Sequence, residues 1–472
     1  MKDAPRLFLF PLAGLFILFL GPILRDGMFI DGLAYTNLAK NMADGIGSIW
    51  HPLLEPNGPV FYGHPTLAFW VESLFFRILG NHLWTEDIYN TVILAGVLGT
   101  GYLLWVKVLG KATGRRTVWF PFLLFVLNQE NQLRYPNTLL ECSLTLVAML
   151  SLLGFLHFRR NRWLATAICG VGAAVCFLIK GPVGLFPLGI PFFYAAVVER
   201  RFDFLAGLLP PVFCAAFFAV LFAVQPAAYA HVAEYWDVQV IAALEGKRTE
   251  HMASTRFKIV FALLSSNAIG LGICLAAFFA GYRKRTTIWA RHEWVRSGLF
   301  FVVVGLSAIL PIMISSKQAS YYQVPSLPFL QLGLGLLLLP QLLTIMDWLG
   351  SRSWSRYLTP GLTVFAAAGF VYALTFLGTT DRRDQRKIAY AGEVAEVLNG
   401  QSFRLEVIGP YEHLRDSYVN GVPAFLNRYY DGFVDQGSGS GYTLWIWEEG
   451  ERPGLLPGEV VWEVEDHALV RE

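Results

Sequence analysis

Charge is scarce in this chain. Asp, Glu, Lys and Arg supply 15% of its 472 residues against 55% hydrophobic ones, and mean hydropathy is +0.47. Soluble domains carry about a quarter charged residues, so an ordinary soluble fold is excluded over most of the length. Cysteine is scarce too. Cys142, Cys169, Cys176, Cys214 and Cys274 all fall in apolar stretches at no metal-ligand spacing, so neither a disulfide framework nor a zinc site is expected. A Walker loop, a dinucleotide fingerprint after a strand, a His-Glu-x-x-His pair and a nucleophile elbow are all missing, which sets aside soluble nucleotides as substrates. Internal repeats and low-complexity tracts are absent as well, and no nucleic-acid partner is expected.

What the chain has in quantity is apolar runs near bilayer length. They fall near 7–24, 88–106, 118–130, 139–156, 164–179, 182–197, 205–224, 257–280, 298–314, 323–343 and 357–377, which predicts a polytopic α-helical membrane protein with about eleven transmembrane helices. The first run passes through Gly21-Pro22 with no small-residue cleavage site, so it reads as a retained span. Basic residues concentrate on alternate connections: Lys107 to Arg116, Arg159 to Arg162, Arg200 and Arg201, Arg283 to Arg296, Arg352 and Arg356. By the positive-inside rule these connections face the cytoplasm, while 25–87 and 378–472 face outward. The expected location is the plasma membrane, the inner membrane in a bacterium, with membrane lipids as neighbours.

This topology requires that 65–80 not cross. As a helix that segment is about 24 Å long and carries Glu72 and Arg77 in its interior, which suits an interfacial position. Residues 32–44 form a second interfacial helix, with Ala34, Tyr35, Leu38, Ala39 and Met42 on one arc and Thr36, Asn37, Lys40, Asn41 and Asp44 on the other. After Phe376 the character changes. Residues 1–377 hold 28 basic and 18 acidic residues, and 378–472 hold 9 and 17, so a transmembrane domain (1–377) is followed by a small soluble α/β domain (378–472). A polar helix at 385–398, strands at 404–409, 442–447 and 459–464, and a flexible turn at 437–441 are expected there. Glu412 and His413 are sequence neighbours on opposite sides of any strand, so this domain shows no acid–base pair.

In that topology the outward connections gather Asp31, His51, His64, Arg134, Asn137, Glu141, Lys180, Lys317, Gln318, Tyr321 and Tyr322. Ionisable groups at span ends are costly, and such a gathering on one side marks a site. Plainer roles compete. Asp31 suits a helix N-cap, His64 before Pro65 suits a first turn, Lys180 suits snorkelling, Glu141 suits a helix N-terminus, and the tyrosines suit an aromatic belt. The functional alternative is a carboxylate that takes an acceptor's proton beside cations that hold a lipid phosphate. A transporter or flippase of lipid-linked sugars is the rival, though it calls for charges inside several spans or for paired broken helices.

In order along 7–340, these motifs resemble the membrane glycosyltransferases of the C-type fold. The likeness is to the dolichyl-phosphate-mannose protein mannosyltransferases and the bacterial enzymes that transfer 4-amino-4-deoxy-L-arabinose to lipid A. It rests on Asp31 through Met42 after the first span, His64-Pro-Thr-Leu-Ala-Phe-Trp, Arg134-Tyr-Pro-Asn-Thr-Leu-Leu-Glu, Leu178-Ile-Lys-Gly-Pro-Val-Gly-Leu, and Lys317 to Pro325 with its Tyr-Tyr pair. The resemblance implies an inverting transfer from a polyprenyl-phosphate sugar to a lipid or protein acceptor on the outer face. Asp31 is then the base, Lys317, Lys180 and His64 hold the donor phosphate, and Asn137, Glu141, Arg134, Tyr321 and Tyr322 contact substrate. No cofactor is implied, and the use of a divalent metal is left open. The chain departs from the family where Asp-Glu is replaced by Asp31-Gly32, a lysine by His64 and an aspartate by Asn137.

Overall fold

The computed structural model describes residues 6–245, 255–283, 292–315, 317–408, 421–435, 441–447 and 452–471. Lys284, Arg285, Arg291, Glu412, His413 and most of the turn at 437–441 lie outside the described residues.

Apolar sequence this long makes helices because a helix satisfies its own backbone polar groups where no water can. Among the described residues, six helices are long and apolar enough to cross a membrane: Thr85–Leu109, Leu140–Phe158, Arg162–Val198, Phe204–Val224, His292–Ile314 and Ser353–Leu374. Two bent pairs, Lys258–Ser266 with Ala268–Ala280 and Ser320–Leu337 with Leu339–Ser351, raise the number to eight. This count does not confirm the expected eleven, because three of the expected runs are not separate long helices in it. Leu9–Ile23 is a shorter apolar helix, the run at 118–130 is an eight-residue helix, Trp119–Val126, and the runs at 164–179 and 182–197 are counted once, as Arg162–Val198, in a helical stretch whose middle, Lys180, lies at the Asp31 end while Tyr194 returns to Arg159 at the other. That stretch changes character at Gly181, whose φ of +76° suits glycine and ends Arg162–Lys180. The 3-10 segment Gly181–Gly189 follows and lies so close that a Cβ on Gly184 would collide with the Cys176 carbonyl. Polar caps mark other starts: Asn128, Asn161 and Asp203 accept from the backbone N–H three residues on, at 3.1, 3.2 and 3.2 Å.

The largest apolar cluster joins these helices through Trp105, Phe125, Tyr135, Phe300 and Phe329. A second cluster belongs to the C-terminal region. There a four-stranded sheet has the order Arg404–Val407, Tyr442–Ile446, His467–Arg471, Glu459–Val464; the first pair is parallel and the others antiparallel. Helices Gln385–Leu398 and Val422–Tyr430 pack with it. The strand segment 25–26, leaving the first apolar helix, pairs in parallel with 379–380, where the chain enters this region.

One expectation needs correcting. The helix Ile30–Ala43 does not lie on a membrane surface with its polar arc in water, because every residue from Gly32 to Met42 is buried. The polar arc is real, but the C-terminal region occupies it. Asn37 Nδ2 donates to the Ala424 carbonyl at 2.9 Å, and Lys40, fully buried, pairs with Asp431 at 2.8 Å and Asp44 at 3.3 Å. Asn41 Nδ2 donates to the Leu53 and Leu54 carbonyls. The second helix, Leu67–Leu79, packs against the first. Thr36 donates to Glu72 at 2.9 Å, and Arg77 donates to the Met42 carbonyl at 3.0 Å.

Candidate active site

Asp31 stands in the first turn of Ile30–Ala43 without capping it. The N-cap is Phe29, and no side chain makes the cap hydrogen bond. The carboxylate is half-buried, and the start of its helix is fixed from outside: Asn137 Oδ1 accepts the Phe29 N–H at 2.6 Å while Asn137 Nδ2 donates to the Leu133 carbonyl at 2.8 Å. The helix approaches so closely that a Cβ on Gly32 would collide with the Asn137 carbonyl. The departures at Gly32 and Asn137 therefore belong to one contact. Asn137 acts here as a support for the Asp31 turn.

The donor-side residues meet elsewhere on the same end of the bundle. His64, Lys180, Lys317 and Tyr322 line one cavity of about 480 Å³, whose remaining wall is largely apolar and includes Phe186, Val240 and Ile312. Lys180 ends Arg162–Lys180 and is buried. Its ammonium pairs with Glu141 in the first turn of Leu140–Phe158 and lies 5.1 Å from the Tyr321 ring and 5.5 Å from the Tyr322 ring. Snorkelling to a headgroup layer does not describe it. Glu141 does not line the cavity; it holds Lys180 there. Arg134 is likewise buried. It pairs with Glu130 at 2.9 Å and stacks 5.0 Å from Phe29 and 5.3 Å from Tyr321, joining the Asp31 turn to the segment that follows Lys317.

Tyr35 connects the two halves. It lies one helical turn after Asp31, and its ring meets the His64 ring edge-on at 5.6 Å between centroids. Its phenol is held well above the usual tyrosine range, first by burial and then by the Asp31 and Glu141 carboxylates. The Asp31 turn and the cavity rim thus meet at Tyr35. On the cavity's other side, Tyr235 of Pro226–Tyr235 lines the wall, and its hydroxyl fills the place a side chain at Gly181 would need. His231 of the same helix approaches the His64 carbonyl at 3.5 Å, and burial lowers its affinity for a proton.

Tyr35, Glu130 and Tyr235 were not singled out in the sequence. The first two had a signal, being four residues from Asp31 and Arg134 on their helices; Tyr235 had none. Gln318 turns away from the cavity, accepting the Ile259 N–H at 2.9 Å. Among the described residues no group of three or more His, Cys, Asp or Glu is arranged to hold a metal ion.

The chain is thus a polytopic helical bundle with a small C-terminal sheet, and comparison with known proteins finds the same fold. Residues 63–229 match the model of the dolichyl-phosphate-mannose-protein mannosyltransferase family. The chain is similar in structure to ArnT from Cupriavidus metallidurans. To its crystal structure bound to undecaprenyl phosphate the TM-score is 0.65 at 14% identity, covering 97% of this chain and 96% of that one. To the apo structure it is 0.63 at 16% identity, covering 96% and 95%. No curated protein sequence matches the chain. The resemblance read from the motifs therefore holds, and with it the fold.

Proposed function

We propose that this chain is a membrane glycosyltransferase that moves a sugar from a polyprenyl-phosphate donor to a lipid or protein acceptor, with inversion at the anomeric carbon. One observation carries the reading: three separated sequence motifs, around His64, Lys180 and Lys317, deliver their basic side chains to one largely apolar cavity, and Tyr35, one helical turn after Asp31, meets His64 at its edge. A lipid phosphate has the matching form, an anionic head on an apolar tail. The family match over 63–229 and the shared fold with a protein crystallised with undecaprenyl phosphate support the same donor class.

The chemistry follows from the placement. Asp31 takes the proton of the acceptor's nucleophile. The freed lone pair attacks the anomeric carbon on the face opposite the phosphate, and the bond from that carbon to the phosphate oxygen breaks. Lys317, Lys180 and, when protonated, His64 take up the charge that grows on the leaving phosphate, in a partly buried site where such contacts are stronger than in open water. Tyr322 lines the cavity, and Tyr321, between Lys180 and Arg134, backs it. The pentose or hexose identity of the sugar is open in this reading, and the site faces outward across the plasma membrane, as the basic loops at the opposite end require.

The test is titration of a polyprenyl phosphate into the full chain in nanodiscs. Lys317→Ala removes a charge-assisted contact of about 1.5–3 kcal/mol, so the donor lipid should bind about tenfold more weakly or worse. Unchanged affinity in both Lys317→Ala and Lys180→Ala removes the phosphate from this cavity.

A further inference from the structure

We propose that the end of the bundle opposite Asp31 carries a second lipid site, for the phosphate headgroup of an anionic phospholipid. A cavity of about 480 Å³ opens there between the ends of Thr85–Leu109 and Leu140–Phe158, the segment Tyr194–Val198 and the start of His292–Ile309. It shares no lining residue with the donor cavity. Its polar lip carries Lys107, Arg159 and Arg296, and its floor is Phe300, Phe301 and Val108.

The three cations are not spent on one another's neighbours. Arg159 is held against Tyr194 by the tyrosine hydroxyl, with its guanidinium 6.0 Å from that ring, which aims it without neutralising it. Arg296 buries its Nε with no hydrogen-bond partner among the described residues, a costly state unless an acceptor comes to it. Two carboxylates also reach the lip. Glu199 is taken by Arg201 at 2.7 Å, and Glu293 is exposed to solvent. What remains is a positive mouth over an aromatic floor. Two arginine forks and a lysine match phosphate oxygens, and the floor of buried phenylalanines offers a free phosphate nothing but gives acyl chains a surface. Basic pockets between transmembrane helices on the positively flanked side are where anionic headgroups bind.

The full chain, purified and stripped of lipid, tests this by native mass spectrometry and thermal unfolding with phosphatidylglycerol, phosphatidylcholine or inorganic phosphate. Phosphatidylglycerol should bind and raise the unfolding temperature. Phosphatidylcholine should not, and millimolar inorganic phosphate should not displace the lipid. The double substitution Arg159→Gln with Arg296→Gln should weaken phosphatidylglycerol about tenfold or more, and Lys107→Gln, at an exposed position that leaves the fold alone, should weaken it several-fold. Polyprenyl-phosphate binding at the far end should be unchanged in each, which separates this site from the donor cavity. Equal stabilisation by phosphatidylcholine, displacement by inorganic phosphate, or unaltered phosphatidylglycerol affinity in Lys107→Gln overturns the proposal.

Discussion

Asp31 and Glu72 are carboxyls in the same corner of the protein with opposite tasks, and their surroundings say why. Asp31 is half-buried in the first turn of its helix, and in the proposed reaction it takes the nucleophile's proton. Asp31→Asn keeps the size and the helix start, which Asn137 fixes independently, but removes the basicity, so sugar transfer should fall by about 10² or more with donor binding intact. Near-normal transfer in that variant would return Asp31 to a structural role. Glu72 is buried against Thr36, and burial pushes its carboxyl up to about 8, the Thr36 hydrogen bond offsetting only part of that. Its ordinary value is 4.5, so between about pH 4.5 and 8 the folded protein binds a proton that the unfolded chain has released. Stability from this residue is then present at low pH and declines as pH rises through that window. Glu72→Gln mimics the protonated acid. Its unfolding temperature relative to the parent should climb from about pH 5 to pH 8 and then level, whereas a difference constant with pH would mean that Glu72 is ionised in the folded state.

The element that decides the geometry at Asp31 is a nine-residue helix from the far end of the sequence. Val422–Tyr430 lies on the polar arc of Ile30–Ala43 and sends Arg428 into the bundle. There it donates through Nε to Glu86 at 3.0 Å, pairs again with the other Glu86 oxygen, and reaches Asn81 and the His82 carbonyl at 2.7 Å each. Asp384 accepts the Met28 N–H at 2.9 Å, Tyr429 accepts the Gly27 N–H at 3.0 Å, and Met28 and Leu33 belong to the apolar cluster of the C-terminal region. That region therefore clamps the Asp31 turn from one side while Asn137 holds it from the other. Arg428→Ala leaves Glu86 buried without its partner, a loss of about 3–5 kcal/mol. It should lower the unfolding temperature and reduce transfer while donor binding persists, and pairing Arg428→Met with Glu86→Leu should restore much of the stability. Normal stability and transfer in Arg428→Ala would make the C-terminal region a passenger.

At the scale of the whole molecule, what was legible in the sequence followed from local pattern. The C-terminal helix at 385–398 and the strands near 404, 442 and 459 stand where composition puts them, because periodicity and turn residues act over a few positions. The motifs around His64, Lys180 and Lys317 were visible one by one, and the shared fold explains why they converge. The clamp was not legible. Arg428 and Glu86 are 342 residues apart, and nothing in Val422 to Tyr430 announces that its polar side meets Asn37 and Lys40. For the same reason a helix with a clean polar arc read as interfacial, since amphipathic spacing records that two environments exist without saying that one of them is protein. The break at Gly181 was legible, because Gly181-Pro182 divides two apolar runs, whereas nothing local in the run at 118–130 says that its helix, Trp119–Val126, stops at eight residues. In the proposed reaction the lipid phosphate sits among Lys317, Lys180 and His64 with its sugar facing Asp31. The most direct measurement is a structure of the full chain determined with a bound polyprenyl phosphate. Density for the phosphate should lie within hydrogen-bonding distance of Lys317 and Lys180 in the cavity at whose edge Tyr35 meets His64, with the lipid tail along the apolar wall at Phe186 and Ile312. Phosphate density outside that cavity, away from both lysines, would contradict it.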